Sequence, residues 1–286
     1  MRVLVTGGAG RVGRYVVRVL AAAGYEVTSL DLAAPTERVA GVRYMIGNVV
    51  NVADVYGAVS FARVEAIVHM AAWSDPGIVA DTRTYGENTA AGFAVLDTAH
   101  ALQVRRVLMA SSAQVYGFAG HAPVYAAVDE AHPLRPLNSY ALSKTATEDA
   151  AAYFARKGLN VLCLRIMGAR APENLDTEVE RVATDPASDR FLLWTRTDAR
   201  DIALGVHQAL AAASVESGAY NLTNSVNVLE EPGADLVRRY CPETEVRMMS
   251  GDFASPLSID KARRAFGYEP RYPWSVSRRF PADAAV

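Results

Sequence analysis

Short apolar runs alternate with alanine-rich stretches over the first 165 residues of the chain. The runs are rich in β-branched residues, which is typical of strands buried on both faces of a parallel sheet. The predicted strands are Arg2–Thr6, Glu26–Asp31, Arg43–Ile46, Ala66–Met70, Arg106–Ser111 and Asn160–Arg165. The alanine-rich stretches favour helices, which are predicted at Arg11–Ala23, Ala53–Ser60, Thr84–Leu102 and Asn138–Arg156.

This alternation predicts an α/β fold, a Rossmann-type doubly wound parallel sheet over residues 1–165. Right-handed crossovers would place the ligands of such a sheet beyond the carboxyl ends of its strands. The pattern loosens afterwards, since Gly168 to Asp189 is polar, contains two prolines and predicts a loop with one short helix. Residues 166–286 are therefore predicted to form a small substrate-binding lobe that is not independent of the sheet.

The predicted elements of this lobe are short. They are a strand at Phe191–Trp194, a helix at Asp198–Ala213, a strand at Ala219–Leu222, and helices near Glu230–Tyr240 and Ser258–Phe266. Ser258 is the expected N-cap of the last helix, because serine accepts hydrogen bonds from the first helical N–H groups.

The composition is that of a globular protein, with 51 % hydrophobic and 21 % charged residues among 286. The net charge is −2 and the basic residues do not cluster, so no nucleic-acid partner is expected. No apolar run is long enough to span a membrane and no signal peptide is evident, so we expect a cytoplasmic protein without a membrane partner. The two cysteines lack metal-ligand spacing, so neither a metal site nor a disulfide framework is predicted.

A glycine-rich turn, Thr6–Gly13, joins the first predicted strand to the first predicted helix. Its spaced glycines permit a tight turn, close approach to a pyrophosphate, and close packing of helix on strand. The helix N-terminus adds N–H donors and the positive end of a dipole. The turn is therefore a predicted dinucleotide site, with contacts from Gly7, Gly10, Arg11, Val12 and Gly13.

An acidic residue, Asp31, ends the second predicted strand 18 residues after Gly13. Its carboxylate can accept hydrogen bonds from both hydroxyls of an adenosine ribose and would repel a 2′-phosphate. No arginine immediately follows Asp31, so NAD is favoured over NADP, although Arg11 could accommodate a phosphate. Asn48 and Val49 follow the third strand, where Asn48 is either an acceptor for the adenine amino group or part of an ordinary polar turn.

Small residues end the fourth predicted strand, in the segment His69–Ala72. They would let the chain pass close beneath a cofactor, so Met70, Ala71 and Ala72 are predicted cofactor contacts. His69 is expected to be a buried structural histidine.

Tyr140 and Lys144 lie four residues apart, just over one helical turn, and therefore on one helix face. A nearby cation favours phenolate, so the pair can supply a base stronger than free tyrosine. A solvated helix face is the alternative interpretation. The serine pair Ser111–Ser112, between this pair and the glycine turn, favours catalysis.

Together these motifs resemble the extended short-chain dehydrogenase/reductases, also called the NAD-dependent epimerase/dehydratase family. They occur in family order over about the first 170 residues. The resemblance implies a Rossmann fold, NAD as cofactor, and catalysis by Ser112, Tyr140 and Lys144, while Ser111 ends its strand. It also implies that Asn88 lies near the cofactor, with a helix-start asparagine as the alternative. The resemblance implies a homodimer through Thr84–Leu102 and Asn138–Arg156, although alanine-rich helices pack just as well within a monomer.

The resemblance further implies a role for each catalytic residue. Tyr140 takes the proton from a substrate hydroxyl, and Lys144 binds the nicotinamide ribose and stabilises phenolate. Ser112 donates a hydrogen bond to the oxygen that becomes a carbonyl.

The substrate side departs from the sugar-nucleotide members of the family. The segment Leu164–Ala169 is short and lacks an asparagine that helps to hold a nucleotide diphosphate, which favours a smaller substrate. The Trp73–Ser74 pair resembles the corresponding segment of uronate dehydrogenases. This resemblance implies that Ser74 contacts a sugar-like substrate. The predicted substrate contacts are Ser74, Ser112, Ala113, Gln114 and Tyr140.

Ala113 and Gln114 stand where uronate dehydrogenases typically have an Asn-His pair. Arg170 and Arg181 are candidates for a carboxylate-binding arginine, with a solvated side chain as the alternative for each. Dehydratases of the family carry acidic residues beside the catalytic Ser/Thr, and these are missing here.

Three functions stay open at this point. The preferred one is an NAD-dependent dehydrogenase that oxidises a hydroxyl of a small sugar-like molecule. The second is a nucleotide-sugar epimerase or dehydratase that retains its NAD. The third, a non-catalytic NAD-sensing protein, leaves the Ser-Tyr-Lys set unexplained.

Overall fold

One central sheet of seven parallel strands organises the computed structural model, which describes residues 1–249 and 251–277. The strands of the described chain are β1 (Arg2–Thr6), β2 (Glu26–Asp31), β3 (Arg43–Ile46), β4 (Ala66–His69), β5 (Arg106–Ser112), β6 (Tyr125–Ala126), β7 (Asn160–Ile166), β8 (Ala169–Arg170), β9 (Thr197–Asp198), β10 (Gly218–Leu222) and β11 (Glu245–Val246). The order in the central sheet is β10-β7-β5-β4-β1-β2-β3. The predicted Rossmann-type α/β fold is confirmed.

The helices of the described chain cover both faces of the sheet. They are α1 (Gly13–Ala22), α2 (Val52–Ala62), α3 (Asp81–Ala101), α4 (Ser139–Arg156), α5 (Leu175–Thr184), α6 (Ala199–Ala211), α7 (Gly233–Tyr240) and α8 (Asp260–Phe266). Apolar residues of α1, α6 and α8 form the core on one face, and those of α2, α3 and α4 form the core on the other. This division explains why the strands read as continuous apolar runs.

The strand order reverses direction between β1 and β4, and a crevice opens there beyond the carboxyl ends of the strands. A side-chain cap fixes the start of one helix beside it. Asn138 Oδ1 accepts from the Ala141 N–H at 2.7 Å and so begins α4, the helix that carries Tyr140 and Lys144.

The segment beyond β7 contributes to the sheet and also forms a third apolar core. Strand β10 pairs with β7, so the central sheet extends past residue 165. The third core combines residues near 113–128 with residues between 167 and 274, including the fully buried Trp194 and Trp274. Ser250 and residues 278–286 of the predicted lobe lie outside the described residues.

The predicted strand Phe191–Trp194 is wrong. Pro186–Leu192 forms a 3-10 helix, and Leu193 and Trp194 follow in the left-handed conformation with φ of 49° and 52°. Asp185 begins this helix by accepting from the Ser188 N–H. A short buried apolar run suits a helical turn as well as a strand, so its hydrophobicity alone cannot distinguish the two.

The last helix begins two residues later than predicted. Ile259 occupies the N-cap position of α8, although Ser258 Oγ still accepts from the Asp260 N–H at 3.2 Å. Within residues 1–249 and 251–277, no helix is long and apolar enough to cross a membrane.

Candidate active site

The glycine turn forms one wall of the crevice. The Gly7 N–H donates to the Leu30 carbonyl at 2.9 Å, which ties the turn to β2. Gly7 has φ of +72°, and a Cβ there would lie 2.6 Å from the Ala71 nitrogen. A Cβ on Gly13 would collide with the Gly7 carbonyl oxygen. Only glycine therefore allows the backbone to lie this close, as a pyrophosphate cradle requires.

A pocket of about 200 Å³ adjoins the turn at the β2 side. Asp31 Oδ2 accepts from the Ala9 N–H at 2.9 Å, so the carboxylate is oriented by the turn itself. The pocket brings together most of the predicted adenosine-side residues: Gly7, Gly10, Asp31, Asn48, Val49, Met70, Ala71, Ala72 and Asn88. Its size and lining fit an adenosine group held through its ribose hydroxyls.

Two polar residues of this region have structural partners. Asn48 Oδ1 accepts from the Val50 N–H at 3.0 Å, an ordinary polar turn. His69 is buried, with Nδ1 2.7 Å from Thr6 Oγ1, and burial lowers its pKa to about 3. A neutral, hydrogen-bonded His69 agrees with the structural role expected for it.

Asn88, which the family resemblance places near the cofactor, forms hydrogen bonds that hold two other segments together. Its Oδ1 accepts from the Trp73 N–H at 2.9 Å, and its Nδ2 lies 3.1 Å from both the Trp73 carbonyl and Ser143 Oγ. Asn88 therefore joins the loop after β4 to α4, and its amide is fully engaged within the protein.

The proposed catalytic residues Ser112, Tyr140 and Lys144 line one cleft of about 430 Å³. Lys144 Nζ donates to the Ala110 carbonyl at 2.7 Å and lies 5.6 Å from the centre of the Tyr140 ring. Ser112 interacts with the Tyr140 phenol and favours its ionised form. Gly7, Gly10, Arg11, Val12 and Gly13 line the same cleft, so the phenol, amine and hydroxyl converge beside the dinucleotide turn.

Burial dominates the electrostatics of the cleft. It raises the pKa of Tyr140 to about 12, although the interaction with Ser112 acts in the opposite direction. It lowers the pKa of Lys144 to about 8. Phenolate in this pocket therefore requires additional positive charge, which a bound oxidised nicotinamide ring would supply.

The predicted substrate residues are distributed unevenly. Ser74 and Gln114 line the catalytic cleft, whereas Ala113 is 1 % exposed and packs in the third apolar core. Arg170 also lines the cleft, but its Nε lies 3.2 Å from Glu178. Arg181 is paired with Asp189 at 2.7 Å and is not among the residues that line the cleft.

A charged pair that the sequence analysis missed lies at the cleft. Arg11 Nη2 is 3.4 Å from Asp75 Oδ2, so the glycine turn and the loop after β4 are bridged. Nothing in the local sequence around residue 75 indicates this partner. Across the described chain, no group of three His, Cys, Asp or Glu residues could hold a metal ion.

A family model for the NAD dependent epimerase/dehydratase family matches residues 3–222. The chain belongs to this family. The resemblance inferred from the motifs is thereby confirmed, and the protein is an NAD-dependent enzyme of the extended short-chain dehydrogenase/reductase type. The glycine cradle, Asp31 and the two adjoining pockets fit that cofactor.

Curated relatives of this family member are UDP-glucose 4-epimerases. The enzyme of Corynebacterium glutamicum is 27 % identical over an alignment of 307 positions, gaps included, which covers 95 % of this chain and 92 % of that protein. The enzyme of Streptomyces lividans is 32 % identical over 154 residues, about half of each chain.

Solved structures share the fold. A short-chain dehydrogenase/reductase superfamily protein from Agrobacterium tumefaciens with bound NAD has a TM-score of 0.73 at 22 % identity, and the match covers 96 % of this chain and 94 % of that one. The UDP-glucose 4-epimerase of Thermotoga maritima with UDP-glucose has a TM-score of 0.72 at 22 % identity, with coverages of 95 % and 94 %.

We expect Asp31→Ser to weaken NAD binding by roughly tenfold and to improve NADP binding, because the carboxylate that receives the ribose hydroxyls and repels a 2′-phosphate is lost. Titration calorimetry with both dinucleotides on cofactor-stripped protein measures the two affinities. Glu26→Ser, at the exposed opposite end of β2, is the matched control. An unchanged preference for NAD in Asp31→Ser would contradict this role.

Proposed function

We propose that the protein is an NAD-dependent epimerase that inverts a hydroxyl-bearing carbon of a nucleotide sugar and retains its NAD between turnovers. The observation that carries this proposal is the convergence of Ser112, Tyr140 and Lys144 on one cleft beside the glycine turn. The near full-length similarity to a UDP-glucose 4-epimerase supports a nucleotide sugar as substrate. This was the alternative at the sequence level, and it now takes precedence over the dehydrogenase.

Bound NAD supplies a hydride acceptor that can return the hydride to the same carbon. Tyr140 would remove the proton from the substrate hydroxyl and later return it to the same oxygen, while the carbon would regain its hydride on the opposite face of the sugar. Ser112 would hold the substrate oxygen in hydrogen-bond contact through both transfers, and Lys144 would favour phenolate by its charge. The open cleft of about 430 Å³ would give the keto sugar room to rotate between the two hydride transfers.

A dehydrogenase acting on a small sugar remains the second candidate, and one observation favours it. The two arginines that line the cleft, Arg11 and Arg170, are each paired with a carboxylate, Asp75 and Glu178 respectively. A diphosphate would have to compete for both guanidinium groups, whereas an uncharged sugar would not. The short turn after β7 suits a small substrate as well.

Measuring NAD retention and net NADH formation distinguishes the epimerase from the dehydrogenase. We expect purified protein to carry NAD through gel filtration and to interconvert UDP-glucose and UDP-galactose without net NADH formation. The assay follows the two nucleotide sugars by chromatography and the cofactor by its ultraviolet absorbance. Steady NADH production from added NAD with an aldose or uronate, and no epimerisation, would instead support the dehydrogenase.

The outer face of α3 and α4 supports a homodimer. This face exposes the aromatic residues Tyr85, Phe93 and Tyr153, and the resemblance to the family implies pairing through these two helices. We expect Phe93→Asp to convert a dimer to a monomer in analytical ultracentrifugation, because a buried unpaired charge is costly at an interface. Phe61→Asp, on α2 and also exposed, is the control that should leave the dimer intact. A monomeric parent protein would refute the dimer.

A further inference from the structure

Strand β5 is connected to helix α4 by three consecutive contacts. The partners on α4 are spaced one helical turn apart, and the pairs are Ser112 with Tyr140, Ala110 with Lys144, and Ser111 with Glu148. Ser111 Oγ donates to Glu148 Oε1 at 2.6 Å. The third contact involves neither a proposed catalytic residue nor the cofactor cradle, and the reaction outlined above gives it no part.

Glu148 is also held from β7. Arg165 donates from Nε to Glu148 Oε1 at 3.0 Å and from Nη2 to Oε2 at 2.7 Å. Both side chains are nearly buried, at 6 % and 11 % exposure. Arg165 Nη1 further donates to the Tyr116 hydroxyl at 3.0 Å. Two neighbouring strands, β5 and β7, therefore fix the Glu148 carboxylate. Through it they fix how α4 is rotated about its axis and where it lies along the sheet.

Lys144 has few charged neighbours within the described chain. Burial lowers its pKa, and the groups that interact with it electrostatically are Cys163, Glu148 and His69. Burial raises the pKa of the Cys163 thiol far above its usual range, so that thiol is uncharged near pH 8. Buried His69 is also neutral there. Tyr140 is protonated at this pH without cofactor.

We propose that Glu148 is a positioning residue, which holds α4 in register on β5 and keeps the Lys144 ammonium charged at the base of the catalytic cleft. Glu148 lies four residues after Lys144, so the two side chains are neighbours on one helix face. The carboxylate is the anionic group left to oppose the desolvation of Lys144. This inference rests on the proposed function, because it assumes that a charged Lys144 assists Tyr140.

The charge state of Lys144 can be measured without any substrate. The chain contains three lysines, Lys144, Lys157 and Lys261, so protein labelled with ¹⁵N at lysine Nζ gives few signals, and Lys144→Arg assigns the one of interest. We expect Glu148→Gln to lower the titration midpoint of Lys144 by about one pH unit or more, the usual effect of losing an opposite charge. Thr145→Ala, whose hydroxyl bonds within its own helix, should leave the midpoint unchanged.

Glu148→Gln leaves Arg165 unpaired and could fail to fold. The double variant Glu148→Leu/Arg165→Met replaces the ion pair by apolar groups of similar volume and should fold. Its Lys144 midpoint should also fall. An unchanged midpoint in either folded variant would overturn the proposal.

Kinetics provide the second measurement. We expect Glu148→Gln to lower kcat about tenfold with little change in KM, and to move the alkaline limb of the pH–rate profile to lower pH. Ser111→Ala keeps the charge but loses one contact, so kcat should fall while the Lys144 midpoint stays. A role in stability alone would lower Tm in these variants without moving kcat or the midpoint. A shifted midpoint without any epimerisation by the parent protein would count against the proposed function only.

Discussion

Tyr140→Phe should lower kcat by about 10²–10⁴-fold, the contribution expected of a positioned general base. The phenol lies in the same cleft as Ser112 and Lys144, and burial raises its pKa to about 12. The ring would remain packed in the variant, because the substitution removes one hydroxyl from a side chain that is 7 % exposed. Steady-state epimerisation or NADH formation, whichever the parent shows, measures the loss.

NAD content and Tm identify the cause of that loss. Both should stay close to the parent values, since Tyr140 contributes chemistry and the glycine cradle and Asp31 supply most cofactor contacts. Tyr153→Phe, on the exposed side of the same helix, is the matched control and should keep full activity. More than a tenth of the parent activity in Tyr140→Phe would refute Tyr140 as the base.

The cofactor side was readable from sequence because its determinants are local. Strands β1, β2, β4 and β5 are largely buried on both faces, so their apolar runs indicate strands, whereas the edge strand β3 is half exposed. The glycine turn is defined by three positions within seven residues, and Asp31 by its place at the end of β2. Local patterns of this kind survive folding unchanged, which is why the fold and the cofactor could both be inferred.

The substrate-binding residues were harder to predict from the sequence, because segments far apart in the chain form the substrate side of the cleft. Ile166–Arg170 and Phe191–Leu192 line the cleft together with Ser74 and Gln114. Whether Arg170, on strand β8, is free to bind an anion depends on Glu178, which lies on helix α5. The hydrogen bonds of Asn88 and the Glu148–Arg165 pair likewise depend on contacts between elements. No spacing in the sequence encodes such partners, so the nature of the substrate could not follow from motifs alone.

Gly13→Ala should abolish stable NAD retention, with an affinity loss of tenfold or more. The added Cβ would meet the Gly7 carbonyl oxygen and approach the Gly8 Cα to 3.0 Å. Because these contacts are backbone, the turn itself must move, and overpacking of this kind costs about 1–3 kcal/mol. Moving the turn would weaken its contacts with a bound pyrophosphate. Each 1.4 kcal/mol of lost binding free energy lowers the affinity about tenfold. NAD released by denaturation after gel filtration measures retention.

Gly57→Ala is the control that isolates this steric effect. Gly57 lies within α2, and a Cβ there would have no neighbour within 4 Å. Alanine should therefore stabilise the helix by up to about 1 kcal/mol and leave NAD content unchanged. Both substitutions place the same methyl group on a helix, so helix propensity cannot explain a difference between them. If Gly13→Ala bound NAD as tightly as Gly57→Ala, the close approach of Gly13 to Gly7 would not shape the cofactor cradle, and the glycine turn would lose its proposed role.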